Sequence, residues 1–287
     1  MISPVLRLAP KAAASATLFS SVFAIAALGV IQTAVAETVP AKVRAQFDIN
    51  FNGLNVGSFE FNSEADTQNY TLSAQSKVSV LLGAFSWSGD TRAAGKIVSE
   101  IPKPSGFTFD FKSNSKAGAV KMSFASDAVT SVTHVPPAQP KTNVVPLQAE
   151  HLKGVVDPMS AVMLMSRGTS GNPCTRRLPI FDGKLRFDLM LSPRGQIQIK
   201  DQQPSGQPNI GYVCRVKYIP IAGHKIDEET KFMARNDQIE IVLRPIPSAN
   251  MFVPYQITIP TIAGPATMIS RRVDIITAQR QQIALVH

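Results

Sequence analysis

KVRAQFDINF, residues 42–51, alternates without a break. Val43, Ala45, Phe47, Ile49 and Phe51 fall on one side of an extended chain. Lys42, Arg44, Gln46, Asp48 and Asn50 fall on the other. Successive side chains of a strand point to opposite faces. The segment therefore reads as a strand with one buried face and one wet face, the pattern of an antiparallel sheet. Asn52-Gly53 follows, and Asn-Gly is the strongest short signal for a hairpin turn. LNVGSFEFNSE (54–64) then returns with Val56, Phe59 and Phe61.

The same grammar runs downstream. Asp66 to Asn69 supply a turn, and YTLSAQSKVSVLL (70–82) is the next strand candidate. GFTFDFKS (106–113) alternates Phe107, Phe109 and Phe111. AVKMSFAS (119–126) alternates Val120, Met122 and Phe124. LRFDLMLS, QIQIK, YVCRVKYIPI, QIEIVLR, PYQITIP and ATMISRRVDIITAQ add further strands, with turn residues between nearly all of them. Short strands separated by turns indicate a sandwich, a barrel or a strongly curved sheet. The expected fold class is all-β with one or two short helices, built as a single strongly curved antiparallel sheet.

Two stretches break the alternation. Residues 135–154, VPPAQPKTNVVPLQAEHLKG, hold four prolines and no period, and read as a linker or a long ordered connection within one sheet. Residues 157–167, DPMSAVMLMSR, read as a short helix. Asp157 suits the cap and Pro158 the first helical position, and Gly168 suits the stop. Met159, Val162 and Met163 keep a helical spacing, while Ala161, Leu164 and Met165 make the other faces apolar too. A helix greasy all round should be buried, here on the concave side or at an open end of the sheet.

The start of the chain sets the compartment. Arg7 and Lys11 precede an apolar stretch, roughly residues 16–31, and Ala34-Val35-Ala36 offers an A-x-A cleavage site. These are the three parts of a secretory signal peptide. The alternative, a membrane anchor, needs about 20 apolar residues, and this stretch is interrupted by Ser20, Ser21 and Gly29. The expectation is a cleaved signal peptide over 1–36 and one curved β-sheet domain over 37–287, exported to the periplasm. The formal charge of +9 falls to +7 when Arg7 and Lys11 are removed. Outside the cytoplasm, that excess suits an anionic membrane surface or acidic glycans, or simple solubility. No run of basic residues interleaved with aromatics stands ready to stack bases, so nucleic acid is not an expected partner.

Chemistry-bearing residues are few. In an oxidising compartment Cys174 and Cys214 should form a disulfide. The alternative, a redox pair, usually has its cysteines close in sequence. CTRRLPIFDGKLRFDLML (174–191) carries Arg176 and Arg177, which could grip a carboxylate or phosphate or merely flank a strand. Asp182-Gly183 reads as a hairpin turn, and Asp188 has no evident partner. His134, His151, His224 and His287 show no metal spacing. His224, near Asp227, Glu228 and Glu229, is the best local metal candidate but reads more simply as turn material. No nucleophile elbow, phosphate loop or zinc-protease motif occurs. Catalytic residues, metals and cofactors are accordingly not assigned. Met159, Val162, Met163 and Leu164 read either as core or as the lining of a site for an irregular apolar ligand. The thioethers could also take copper.

DPMSAVMLMSR, CTRRLPIFDGKLRFDLML and YVCRVKYIPIAGH, in that order, together with FDINFNGLNVGSFEF, resemble the exported proteobacterial family called domain of unknown function 3108. The resemblance covers most of residues 42–285. It marks Asp157-Pro158, Asp182-Gly183, Cys214 and Gly223, and it transfers no catalytic motif. By analogy it implies a β-spiral or half-barrel similar to the lipoprotein-carrier fold. The function expected is a periplasmic, non-enzymatic envelope protein holding an acyl chain or other apolar ligand in a cavity on its concave face. The alternatives are a scaffold for an envelope protein partner, with a self-filled core, and a hydrolase acting on glycan or lipid.

Overall fold

A computed structural model describes residues 41–80, 83–139, 142–169 and 171–287. The expected signal peptide, residues 1–36, lies outside the described residues. The N-terminal half holds β1 (Lys42–Phe51), β2 (Leu54–Ala65), β3 (Asn69–Val80), β4 (Phe85–Val98), β5 (Ile101–Ser113), β6 (Ala117–Ala125) and β7 (Ala128–Val135). The helix α1 (Pro158–Ser166) follows, then β8 (Arg177–Phe181), β9 (Arg186–Gln198) and β10 (Ile210–Ala222). The chain ends with α2 (Glu228–Arg235), β11 (Glu240–Ile246), β12 (Met251–Thr261), β13 (Gly264–Ile276) and β14 (Gln282–Val286).

All the strands belong to one sheet in the order β7-β6-β5-β4-β3-β2-β1-β13-β12-β11-β10-β9-β8, with β14 beside the far end of β13. Every ladder is antiparallel, as the alternation in 42–51 requires. Asn52 and Gly53 both have positive φ, the backbone that an Asn-Gly hairpin turn needs. Most neighbours are consecutive in the chain. The exception is β1 with β13, where Val43 opposes Ile275 and Ala45 opposes Val273.

The sheet curls but does not close into a ladder between its end strands, β7 and β8. A short segment stitches them instead. Lys153 bridges Ala128 of β7. Val156 donates its N–H to the Pro179 carbonyl at 2.9 Å and accepts from Phe181 N–H at 3.0 Å. The β8–β9 turn also lies over β6, where Val120 and Met122 border Gly183. The result is a spiral, with the C-terminal end of the sheet tucked against the N-terminal half.

The helix fills the curve. Met159 and Met163 pack with Tyr70, Leu72, Phe107, Met122 and Phe181. From the other side of the helix, Ala161 and Met165 join Leu178, Ile180, Val216, Leu243 and Phe252. A buried polar chain fixes its start. Asp157 Oδ1 accepts from Met159 N–H (2.9 Å) and Ser160 N–H (3.0 Å), and Asp157 Oδ2 accepts from Ser160 Oγ. The serine proton being spent there, Tyr70 Oη donates to Ser160 Oγ at 2.7 Å. Burial pushes the Asp157 carboxyl above its ordinary range, against the pull of those hydrogen bonds.

Some elements escaped the sequence reading. At inward positions of β4 stand Trp87, Gly89, Thr91, Ala93 and Gly95, so the hydrophobic alternation is nearly erased. The two glycines leave room for large neighbours: Trp87 and Phe109 cover Gly89, and the Tyr70 ring covers Gly95. In β7 a bulge opposite Ser123/Phe124 shifts the parity. β14 is short. LRFDLMLS and QIQIK are one strand, β9, rather than two. The charge run Asp227–Glu229, expected as turn material, instead starts α2, capped by Asp227 Oδ1 accepting from Thr230 N–H at 3.0 Å.

Gly95 tests this packing. A side chain there would strike both the Tyr70 ring and the Lys103 carbonyl. Gly95→Ala should lower the unfolding free energy by about 1–3 kcal/mol, the usual cost of overpacking. Urea denaturation measures it, and an unchanged midpoint would show that Tyr70 is not wedged against β4.

Candidate functional site

Cys174, just upstream of β8, is bonded to Cys214 of β10, with Cα atoms 5.1 Å apart. The bond steps over β9 and sits in the core formed by β8–β12. It ties the last strand of an open sheet to one two places inward.

The arginines beside it are already engaged. Arg176 Nη1 donates to the carbonyls of Leu164 (2.7 Å) and Met165 (2.8 Å), and its Nη2 to Arg167 O (2.6 Å). These are carbonyls at the C-terminal end of α1, which lack helical partners. Arg177 Nε donates to Asp188 Oδ2 at 2.7 Å, and Arg186 Nη1 to Asp188 Oδ1. Asp188 is fully buried. The partner that sequence could not supply is thus a pair of arginines from two strands. Asp182 Oδ1 accepts from Lys184 and Leu185 N–H, holding the β8–β9 turn.

His224 is buried. A carbonyl can only accept, so Nε2–H donates to Arg186 O and Nδ1 accepts from Tyr218 Oη, both at 3.0 Å. Neither ring nitrogen is left to turn toward Asp227–Glu229. Desolvation, with the nearby Asp182 charge, pushes the Tyr218 hydroxyl up to about 12.

A denser polar cluster went unnoticed in the sequence. Arg244, fully buried on β11, donates to Asp201 Oδ2 (2.8 Å), Asn209 Oδ1 (2.9 Å), Ser205 Oγ and Pro208 O. It also donates to His287 Nε2 at 2.9 Å, so the imidazole carries its proton on Nδ1 and gives it to Ser270 Oγ. Burial, and then Arg244, hold His287 below its ordinary 6.5. Asp201, although burial raises it, ends below its usual value because Arg244 and Ser205 bond its carboxylate. The cluster fastens the 200–209 loop to the C-terminal strand. Its members are far apart in sequence, and no local pattern announces them.

The inward rows of β2–β6 carry a different feature. Register places Ser63, Leu72, Ala93, Phe107 and Met122 in one cross-strand row, against α1. Leu72, Ala93, Phe107 and Met122 are nearly sealed. The next rows away from the helix hold Phe61, Ala74, Thr91, Phe109 and Val120, then Phe59, Ser76, Gly89, Phe111 and Gly118, then Gly57, Val78, Trp87 and Ser113. Phe59, Val78, Trp87, Phe109 and Phe111 are only half-buried. Trp87 and Phe109 lie 6.3 Å apart between ring centres, and Phe109 and Phe111 stack at 5.8 Å. Gly89 and Gly118 let these rings lie flat on the backbone. The inner face thus changes from a sealed core beneath α1 to a partly open aromatic shelf beyond it. Met159 and Met163 lie in the sealed part, and Val162 and Leu164 are half-buried.

The family model described as protein of unknown function DUF3108 matches residues 46–269. No curated protein matches the chain. Among solved structures, a β-barrel-like protein of domain of unknown function DUF1849 from Brucella abortus is similar at a TM-score of 0.48. The two share 11% identity over 83% of this chain and 99% of that one.

Three outcomes follow from the bonded clusters. Replacing both cysteines by serine should cost about 3–4 kcal/mol, because the disulfide closes a loop of 40 residues. Equal denaturation midpoints with and without reductant would contradict this. Arg244→Met should cost about 3–5 kcal/mol by leaving Asp201 buried and unpaired. His287 protonates more readily in the unfolded chain, so its contribution is present above about pH 6.5 and fades as pH falls below it. The Asp201 contribution is lost in the same direction, lower still, below the ordinary carboxyl value of 3.8. Thermal melts from pH 8 to pH 5 should decline less in His287→Asn than in the parent.

Proposed function

This chain belongs to the DUF3108 family of proteins of unknown function, and from that premise we propose an exported, non-catalytic envelope protein that holds an acyl chain on the inner face of its sheet. The observation that carries the reading is the aromatic shelf of Trp87, Phe109 and Phe111, bordered by Phe59, Val78 and Val120. Inward-facing rings left half-covered beside a sealed core offer apolar area to a ligand that is itself apolar and flexible. Each methylene buried on such a surface contributes about 0.8 kcal/mol, so a chain of ordinary length gains useful affinity without a polar anchor. Flat rings supported by glycine backbone accept a bending alkyl chain without a fixed hydrogen-bond pattern.

Export is supported by the leader-like residues 1–36 and by the Cys174–Cys214 bond, which persists in oxidising compartments. Among the described residues, no helix is long and apolar enough to cross a membrane. The periplasm is the proposed location.

The second reading, a protein–protein scaffold, draws on β7. Among the described residues this end strand pairs β6, is bridged on its other side at Ala128 by Lys153, and carries no Asp, Glu, Lys or Arg along AVTSVTHV. Such an edge can accept an added strand.

Trp87 is the single tryptophan of the chain and sits in the shelf, so it reports occupancy directly. A brominated stearic acid should quench its fluorescence saturably, and unlabelled stearic acid should reverse the effect. Phe109→Ser with Phe111→Ser should weaken binding by about tenfold or more, from the lost apolar area. Absence of saturable quenching in the folded parent would remove the ligand reading and favour the scaffold.

A further inference from the structure

The two ends of the β1–β6 region differ in charge. The β2–β3, β4–β5 and β6–β7 turns lie at the end near the start of α1, and each contains an acid: Asp66, Glu100 and Asp127. The β1–β2, β3–β4 and β5–β6 turns lie at the opposite end. The β12–β13 turn joins them, since Asn52 N–H donates to Pro265 O and Asn52 Nδ2 to Ala263 O. Residues 49–59, 76–80, 83–89, 111–118 and 257–268, which belong to that end, contain no Asp or Glu; the acids begin one outer row farther in, with Glu60, Asp90 and Asp110. The same segments contain three lysines, Lys77, Lys112 and Lys116.

Large apolar side chains stand exposed at the same turns. Leu54 is 71% exposed, Ile262 66% and Phe85 48%. Asn114 ties two of the turns together: its Oδ1 accepts from Ser86 N–H and Ser86 Oγ, both at 2.6 Å.

Between the lysines the outer face is hollow. Ser58, Lys77, Ser88 and Lys112 lie opposite one another in a single row across β2–β5. Ser79 and Asn114 border the next row, and the depression measures about 580 Å³. Each of the four strands contributes three consecutive residues, of which the middle one belongs to an inward row. The hollow is therefore an outer trough bordered by serine hydroxyls and lysine side chains, with Val56, Gly57, Val78 and Trp87 also lining it.

We infer that this acid-free end docks on an anionic lipid bilayer. Leu54, Phe85 and Ile262 enter the boundary between headgroups and acyl chains, and Lys77, Lys112 and Lys116 meet lipid phosphates, one of which fits the serine-lined trough. Cations and apolar tips at one place match a surface that is negative outside and oily beneath. An acidic protein surface would satisfy the lysines but leave the tips in water. The inference goes beyond the ligand reading and does not require it, since the docking residues lie on turns and on the outer face while the shelf lies inside.

Co-sedimentation of the purified protein with vesicles provides the test. Binding is expected to phosphatidylcholine vesicles containing phosphatidylglycerol, to weaken in high salt, and to be much poorer with phosphatidylcholine alone. Lysine near an anionic surface is worth about fivefold in partitioning. Combined Lys77→Gln, Lys112→Gln and Lys116→Gln should therefore lower it on the order of a hundredfold. Leu54→Ser with Ile262→Ser should also reduce it, and Lys96→Gln, on β4 toward the other end, should not. All these side chains are exposed, and circular dichroism confirms that each variant is folded. No partitioning onto anionic vesicles, or an equal loss from Lys96→Gln, overturns the proposal. Loss of Trp87 quenching by brominated stearate without loss of vesicle binding would strike the ligand reading alone.

Discussion

The hydrogen-bonded chain from Tyr70 Oη through Ser160 Oγ to the Asp157 carboxylate pins a nine-residue helix inside the curve of an open sheet. A fourteen-stranded sheet that neither closes nor stacks on a second sheet has a whole inner face to cover. α1 covers part of it, with Met159 and Met163 toward one wall and Ala161 and Met165 toward the other. The buried Asp157 has its hydrogen bonds satisfied, so the helix start can sit in the core without stranded donors.

Closure is handled by several small devices rather than by a ladder. Residues 153–156 stitch β7 to β8, the β8–β9 turn leans on β6, and the disulfide ties β8 inward to β10. Arg244 does comparable work on the far side, gathering the 200–209 loop and the C-terminal residue around one guanidinium. Each device joins segments distant in sequence. Together they leave the inner surface sealed where α1 lies and half-open at the aromatic shelf.

The shelf and the acid-free end share strands but not faces. Along β3, Lys77 and Val78 are neighbours, one pointing to the outer trough and the other to the inner row, and the same is true of Lys112 and Ser113 on β5. Period-two alternation thus lets one end of the sheet carry a cationic exterior and an apolar interior within a few residues. A protein that takes a lipid chain from a membrane would need those two surfaces close together.

The alternation of residues 42–51, repeated downstream between turns, sets the all-β class and the antiparallel pairing, because a two-residue period buries one face of each strand and leaves the other wet. Asn52-Gly53 set the first turn, Asp157-Pro158 set the start of α1, and two lone cysteines set the disulfide. The family resemblance was equally legible, since it rests on local motifs. What only the tertiary structure decided is whatever depends on contacts between distant segments. β4 hides in the sequence because three of its inward residues are Gly89, Ala93 and Gly95, the two glycines lying under the Tyr70, Trp87 and Phe109 rings. Asp188 finds its arginines, and Arg244 its cluster, only when strands from different hairpins meet. The aromatic shelf belongs to this second class: alternation shows that Phe109 and Phe111 point inward, but only the placement of α1 decides which inward side chains are sealed and which are left half-open. Periodicity assigns a side chain to a face, whereas burial depends on what the rest of the chain brings to that face.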